Sequence, residues 1–398
     1  MTHKIRHHYL NFFIGGFMLF GALPGQAEEP VKDLSLRNEV DHSVHQTLTQ
    51  LAEAQNLDGY WATPDYPGLT ALIVRSFLES PVDNERWVKS DTVAKGIAFI
   101  RQHVQEDGGI YNRGLYSYNT AISLMGLNVY AEAAKKYGLL DEAELAELKK
   151  IMLRAREFVI AQQQFYSEED FAKFTGGIGY GNSYKHSDLS NTSLAIQALH
   201  ETRHLVDEND EQAVKLNWDA AVQFLTNTQN LPETNKSEWA SGDAADRGGF
   251  IYYPGDSKAG TFEKADGSTG YRSYGSMSYA GLMSMLYAGV DKDDERVVAA
   301  IDWLKAHFVL EENPAMGQEG LYYYLHTMAK ALDAYGEDTL TLDDGTVIDW
   351  PKVLAERFVS LHKHPGFWVN ENSRWMESNP YLVSAYSLLA LQYIYPKL

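Results

Sequence analysis

A chain of 398 residues with 54 acidic against 34 basic side chains carries a formal charge of −20, and it is rich in tyrosine, with 25 copies. Such a charge makes nucleic acid and anionic membrane surfaces poor partners. No cysteine occurs, which excludes disulfides, thiolate zinc sites, thioester chemistry and a lipid-anchored cysteine.

The first residues read as a leader rather than as fold. Lys4, Arg6, His7 and His8 give a basic start, residues 9–23 form an apolar run, and Pro24-Gly25-Gln26-Ala27 offers small residues for cleavage before Glu28. An uncleaved membrane anchor would need about 20 apolar residues, and this run is shorter. The expectation is a signal peptide over 1–27, a single domain over 28–398, a periplasmic or secreted protein, and no stable membrane span.

Helical periodicity begins at Val40, with Val44, Leu48, Leu51 and Ala52 following at spacings of three and four. The turn Asp58-Gly59-Tyr60-Trp61 ends that helix, and residues 69–78 are apolar on nearly every side, as in a helix buried all round. The first helix is therefore outer and the second inner. The same pair recurs, with outer helices over 93–104, 142–164, 212–228, 295–308 and 350–362. Inner helices follow over 119–129, 191–199, 276–287, 321–335 and 381–393, and a glycine-rich turn separates each pair. Thr70, Thr120, Thr192, Ser278, Thr327 and Ser384 fall near equivalent positions of the six inner helices. Hairpins of this size cannot bury their own apolar faces and must stack, and six of them suggest a closed all-α ring. Two long loops, 231–272 and 337–349, read either as binding loops or lids or as solvated insertions.

The first turn fits Gln-x3-Gly-x-Trp through Gln55, Gly59 and Trp61, and the second fits with tyrosine through Gln105, Gly109 and Tyr111. The sixth keeps Gly366 and Trp368 but carries His362 in place of the glutamine. From about Val40 to its end the chain resembles the repeat of squalene and hopene cyclases and, more loosely, of protein prenyltransferase β subunits. The resemblance implies an α/α toroid of six helical hairpins whose central aromatic cavity receives an isoprenoid-like apolar molecule, with isomerase- or lyase-type chemistry and no cofactor.

The catalytic motif of those cyclases is Asp-x-Asp-Asp-Thr at the start of an inner helix, its middle acid donating the proton. Asp291-Lys292-Asp293-Asp294 matches in letters but precedes an outer helix, where acids cap the helix and complement its dipole. By position the match is Asp188-Leu189-Ser190-Asn191-Thr192, where serine replaces the proton donor and asparagine the last acid. Asp188 reads either as a residual acid, alone or with His186, or as a helix cap. His326 stands in a setting similar to the prenyltransferase zinc histidine, but no cysteine exists to join it and no metal is expected. No acidic motif of DDxxD spacing occurs, and residues 207–211 read as a solvated loop.

What remains is a polar and aromatic set at one end of the ring. The catalytic candidates are Asp188, His326 and Glu371; the substrate-binding candidates are Tyr274, Glu319, Tyr322, Tyr323, Trp368 and Trp375. Asn370 to Glu377 reads as a cavity mouth or as a satisfied polar loop, and a carboxyl group among these rings would have its pKa raised by desolvation. Two other functions stay open. One is a carbohydrate-processing α/α-barrel enzyme, a glycosidase or lyase using two facing carboxyls, with Glu319, Glu371 and Glu377 as candidates. The other is a binding protein that kept the fold and lost the chemistry.

Overall fold

The computed structural model describes residues 33–181, 186–207, 210, 213–363 and 366–398. The leader over 1–27 and residues 211–212, where the fourth outer helix was expected to begin, lie outside the described residues. The described helices are α1 (Leu34–Glu53), α2 (Pro67–Leu78), α3 (Asn84–Val88), α4 (Asp91–Gln102), α5 (Tyr116–Tyr137), α6 (Glu142–Ala161) and α7 (Glu169–Ala172). They continue as α8 (Leu189–Glu201), α9 (Trp218–Asn227), α10 (Gly275–Tyr287), α11 (Glu295–Ala306), α12 (Leu321–Tyr335), α13 (Trp350–Leu361) and α14 (Pro380–Ile394). Helix accounts for 54% of the described residues. The strands among them form two short hairpins, Thr261–Glu263 with Thr269–Tyr271 and Thr339–Thr341 with Val347–Asp349, so the all-α class stands.

Inner helices α2, α5, α8, α10, α12 and α14 pack each on the next, and α14 packs back on α2 to close a ring. The outer helices α1, α4, α6, α9, α11 and α13 lie outside them, and α1 also meets α13, so the first and last hairpins join. This is the α/α toroid of six hairpins. Boundaries differ from the sequence pattern mainly at α5, which runs on to Gly138, and at α9, which starts only at Trp218. The acids before α11 behave as caps: Asp294 accepts from the Arg296 amide at 3.0 Å.

The first, third and fourth turns are fastened to their neighbours by a recurring set of bonds, while Gln105 of the second donates to the His103 and Tyr111 carbonyls within its own turn. Gln163, at the end of α6, donates through Nε2 to the carbonyls of Gly176 and Asn217, both at 2.9 Å, and its Oε1 accepts from the Asn217 amide at 2.9 Å. One side chain thereby ties its own turn to the start of the next outer helix. Gln55 joins Gly59 to Thr92 in the same way, and Gln229 joins Gly248 to Arg296. Gly176 sits at φ +90° against α9, where an added Cβ would lie 2.0 Å from the Ala220 carbonyl oxygen, and Gly248 at φ +97° would meet the Ala299 oxygen at 2.1 Å. Both the left-handed backbone and the close approach demand glycine.

The inner helix fastens the other side. Thr120, Thr192, Ser278 and Ser384 hydroxyls accept the amide protons of Ile110, Ile178, Phe250 and Trp368 at 2.9–3.1 Å. Thr70 and Thr327 depart from this pattern: the Thr70 hydroxyl has no partner, and Thr327 donates to the Tyr323 carbonyl. At the closing hairpin, where histidine replaces the glutamine, His362 Nε2 meets Thr47 Oγ1 of α1 at 2.9 Å, and that hydroxyl donates to the Gly366 carbonyl at 2.8 Å.

Gln163 is buried, and its three bonds have no substitute in an alanine variant. At about 1 kcal/mol for each buried bond lost, with more for carbonyls left unsatisfied, Gln163→Ala should lower the unfolding free energy by about 2–4 kcal/mol in urea titrations. A loss below about 0.5 kcal/mol would contradict the fastening role.

Candidate functional site

Because successive inner helices are parallel, their inward faces build one cavity in layers. It encloses about 570 Å³, within the ~300–1,000 Å³ typical of small-molecule sites. Along α12 the inward stripe is Tyr323, His326 and Lys330, and along α8 it is Ser190, Leu194 and Gln197, the spacing of one helix face. Seven residues at 1.5 Å rise make the wall about 10 Å deep.

The upper layer is a ring of hydroxyls. Tyr118 donates to Ser190 Oγ, which lies 3.4 Å from the Tyr323 hydroxyl, and the Tyr180 and Tyr252 hydroxyls meet at 2.7 Å. Burial raises the pKa of Tyr118, Tyr252 and Tyr323, so these groups stay protonated. Lys258, paired with Asp256 at 3.1 Å, covers the Tyr252 ring at 4.5 Å, and His186 packs on Tyr253 at 4.9 Å. The loop 231–272 therefore contributes wall: Tyr252, Tyr253 and Lys258 all face the cavity. The second long loop, 337–349, forms a surface hairpin and lines nothing.

Asp188 stands one layer behind this ring, wholly buried, as the N-cap of α8. Its Oδ1 accepts from the Asn191 amide at 2.9 Å and its Oδ2 from Asn191 Nδ2 at 2.8 Å. Burial pushes its pKa up to about 6, against the opposing pull of the Asn191 donors and the Tyr252 hydroxyl.

The middle layer is apolar, with Leu72, Ile122, Leu194 and Leu389. His326 lies in it, stacked on Tyr386 with 5.4 Å between ring centres. Burial first, then the charges of Lys330 and Arg75, holds its pKa well down, so the imidazole is neutral. The floor is charged. Arg75 binds both Glu79 and Glu201, Gln197 Nε2 donates to Glu201 Oε1 at 2.7 Å, and Lys330 Nζ donates to Gln197 Oε1 at 3.0 Å. Burial and the Arg75 charge lower the Lys330 ammonium to about 7.

The mouth is crossed by residues 370–379. Trp375 and Met376 both have positive φ, 53° and 66°, and Trp375 is 43% exposed. The segment is pinned by Glu377, wholly buried, which accepts from Asn370 Nδ2 at 2.7 Å and from the Tyr322 and Tyr323 amides at 3.3 and 2.8 Å. Helix α12 opens on Gly320, which offers no side-chain cap, so this carboxyl supplies the missing acceptor from across the chain.

Of the sequence candidates, His186, Tyr274, Tyr323, His326, Trp375 and Glu377 line the cavity. The three catalytic candidates do not converge: Asp188 is behind the upper ring, His326 is in the middle wall, and Glu371 is exposed outside the lining. Glu319 also lies outside and pairs with Arg374 at 3.3 Å. Tyr322 is turned into the wall, its hydroxyl donating to the Val369 carbonyl at 3.2 Å, because neighbours on a helix cannot share one face with Tyr323. Trp368 is wholly buried as the seal of its turn, its indole donating to the Phe358 carbonyl at 2.8 Å, as Trp61 donates to Leu51 at 2.7 Å. The sequence reading missed Tyr118, Tyr252, Arg75, Gln197 and Lys330. A visible signal existed for two of them: Arg75 is the lone charge of apolar α2, and Lys330 shares α12 with a single other charge, Asp333.

No known family's sequence profile matches this chain, and no curated protein sequence is similar to it. Solved structures do share the fold. A ligand-free variant of the type II terpene cyclase MstE from Scytonema is 13% identical, over 92% of this chain and 99% of that one, with a TM-score of 0.51. Another MstE variant, in complex with merosterolic acid A as product, is 11% identical over 92% and 99%, with a TM-score of 0.50. A family 76 glycoside hydrolase from a bovine Bacteroides thetaiotaomicron strain is 13% identical over 89% and 78%, with a TM-score of 0.52. Likeness at these identities establishes the toroid and leaves the function open.

Asp188 has a pKa raised above its unfolded value of 3.8, so the native state holds its proton more tightly. Stability from this group is full below pH 3.8 and is lost as pH rises through about 6. Relative to wild type, Asp188→Asn should therefore gain stability between pH 4 and 7, by as much as about 3 kcal/mol. Paired chemical-denaturation curves across that range measure it, and a flat difference would mean that the carboxyl is not desolvated.

Proposed function

We propose that this protein binds an isoprenoid-like hydrocarbon chain in the toroid's cavity and does not cyclise it by the proton-initiated route of the cyclases it resembles. The observation that carries the reading is the lining itself. It is built mainly of tyrosine, leucine, isoleucine and methionine side chains, and its one acid among the described residues is Glu377. That carboxyl is committed to three donors at the start of α12. A glycosidase needs two carboxyls facing its cleft across ~5–10 Å, so the lining favours an apolar ligand over a glycan. Where a cyclase would carry its proton donor stands Ser190, engaged by Tyr118 and Tyr323, and a serine hydroxyl cannot protonate an alkene.

Geranylgeraniol should bind the purified protein saturably and quench its aromatic fluorescence, while mannose and xylose oligosaccharides should not. Leu194→Trp, which places an indole into the middle layer, should weaken that binding by at least tenfold with the melting temperature held. Binding of the glycans alone would overturn the apolar reading, and a cyclic product from the alcohol would overturn its non-catalytic part.

The same proposal places the protein outside the cytoplasm, on the basic start, apolar run and small residues of positions 1–27. Amino-terminal sequencing of material from the native host should begin near Glu28. A first residue of Met1 would remove this part.

A further inference from the structure

Lys330 is 5% exposed, yet it reaches the cavity floor with no carboxylate of its own. The two acids at that level are taken. Glu79 and Glu201 both bind Arg75, and Glu201 also accepts from Gln197. The Lys330 ammonium is left with the neutral Gln197 oxygen at 3.0 Å. A buried lysine without a direct acid partner is rare, because an unpaired ammonium is costly out of water. Four residues earlier on the same face, His326 is also 5% exposed and stacks on Tyr386, so the layer directly above the ammonium presents rings and leucines rather than a second charge.

We infer that the floor is a head-group subsite, in which Lys330 receives the carboxylate of an amphipathic molecule whose hydrocarbon body fills the layer above. The inference rests on the apolar reading of the cavity and adds which end of the ligand goes down. A carboxylate has two oxygens to accept from the Lys330 ammonium and one negative charge to balance it. An ester of the same chain has the oxygens but carries no charge for the ammonium.

A phosphate or diphosphate head fits the floor less well. The floor lies in the last two turns of α2, α8, α12 and α14, where the carbonyl ends of four helices point partial negative charge at the site. Arg75 is already saturated by its two carboxylates. One ammonium then remains to balance a ligand, which matches a monoanion. The apolar middle layer, with Leu72, Leu194 and Leu389, separates this charged floor from the neutral hydroxyl ring above, so an anionic group meets its cation at the floor.

Geranylgeranoic acid and its methyl ester, which share one chain, separate this inference from the apolar reading. Titrated against the wild-type protein at pH 7, the acid should bind at least tenfold more tightly than the ester. Lys330→Met should erase that ratio while leaving ester binding within about twofold, and its melting temperature should not fall, since an apolar isostere replaces a buried charge. Equal binding of acid and ester to wild type would overturn the head-group subsite and leave the apolar cavity standing. Binding of neither would overturn both. A ratio that survives in Lys330→Met would place the carboxyl elsewhere. The wild-type comparison decides even if that variant does not fold.

Discussion

The ring depends on how a glycine turn is bound to the helix beside it. A glutamine amide can donate twice and accept up to twice, and Gln163 uses both donors and one acceptor site in joining Gly176 to the start of α9. The glycine then lets two backbones approach to a distance that no Cβ would survive. Neither device is strong alone, at about 1 kcal/mol per bond. Repeated at the first, third and fourth turns, however, they fix the stagger of those hairpins against the next. Closure needs a different part, because the last turn must find the first helix across the whole sequence. Thr47 provides it, its hydroxyl meeting His362 Nε2 and donating to the Gly366 carbonyl.

Fixed stagger has a chemical consequence. It holds the inner helices parallel and level, so residues one, four and eight positions into different helices share a layer. Tyr118, Ser190 and Tyr323 touch near the helix starts, and Arg75, Gln197 and Lys330 form one network near the ends. The helix dipoles add to this asymmetry. Amide protons gather at the mouth, where Glu377 accepts two of them. Carbonyl groups gather at the floor, where the cations lie. The cavity is thus polarised along its axis before any ligand enters, and its apolar middle is the only layer without a fixed polar partner.

Much of this was readable in the sequence, and the limits have physical causes. The helical pairs and the ring followed from periodicity and the repeated glycine turn, since those patterns are local. The glutamine fasteners were visible only where glutamine and glycine are close, as for Gln55 and Gly59. Gln163 and Gly176 are 13 residues apart and Gln229 and Gly248 are 19 apart, so insertions hid a bond that the fold preserves. The site was less legible. Trp368 and Tyr322 carry the chemistry of a binding site but serve as wall, because a residue's face depends on its phase along the element, which one position in either direction reverses. Glu371 sits six residues from the carboxyl that is buried at the mouth, Glu377 being the one pinned by α12. The floor escaped because Arg75 and Lys330 were averaged into apolar helices, although a charge in such a helix is the more informative residue.

The motif at the start of α8 shows which part of a catalytic sequence belongs to the fold. Asp188 caps the helix through the Asn191 amide, and Thr192 accepts the Ile178 amide while donating to the Asp188 carbonyl oxygen. Those two positions agree with the cyclase motif, and both have structural work independent of any reaction. Ser190 and Asn191 are the two that differ. An acid at position 191 would set a second carboxyl within 3 Å of Asp188, and two carboxyls so placed must share a proton, which is how such a pair becomes acidic enough on one side and protonated on the other. Asparagine puts an amide N–H at that contact instead, 2.8 Å from Oδ2, so Asp188 gains a donor and the shared proton has no reason to exist. Ser190 meanwhile hands its place in the lining to a hydroxyl chain with Tyr118 and Tyr323. Asp188 and Thr192 therefore do structural work at the start of α8, and Ser190 and Asn191 contribute a hydroxyl and an amide donor there.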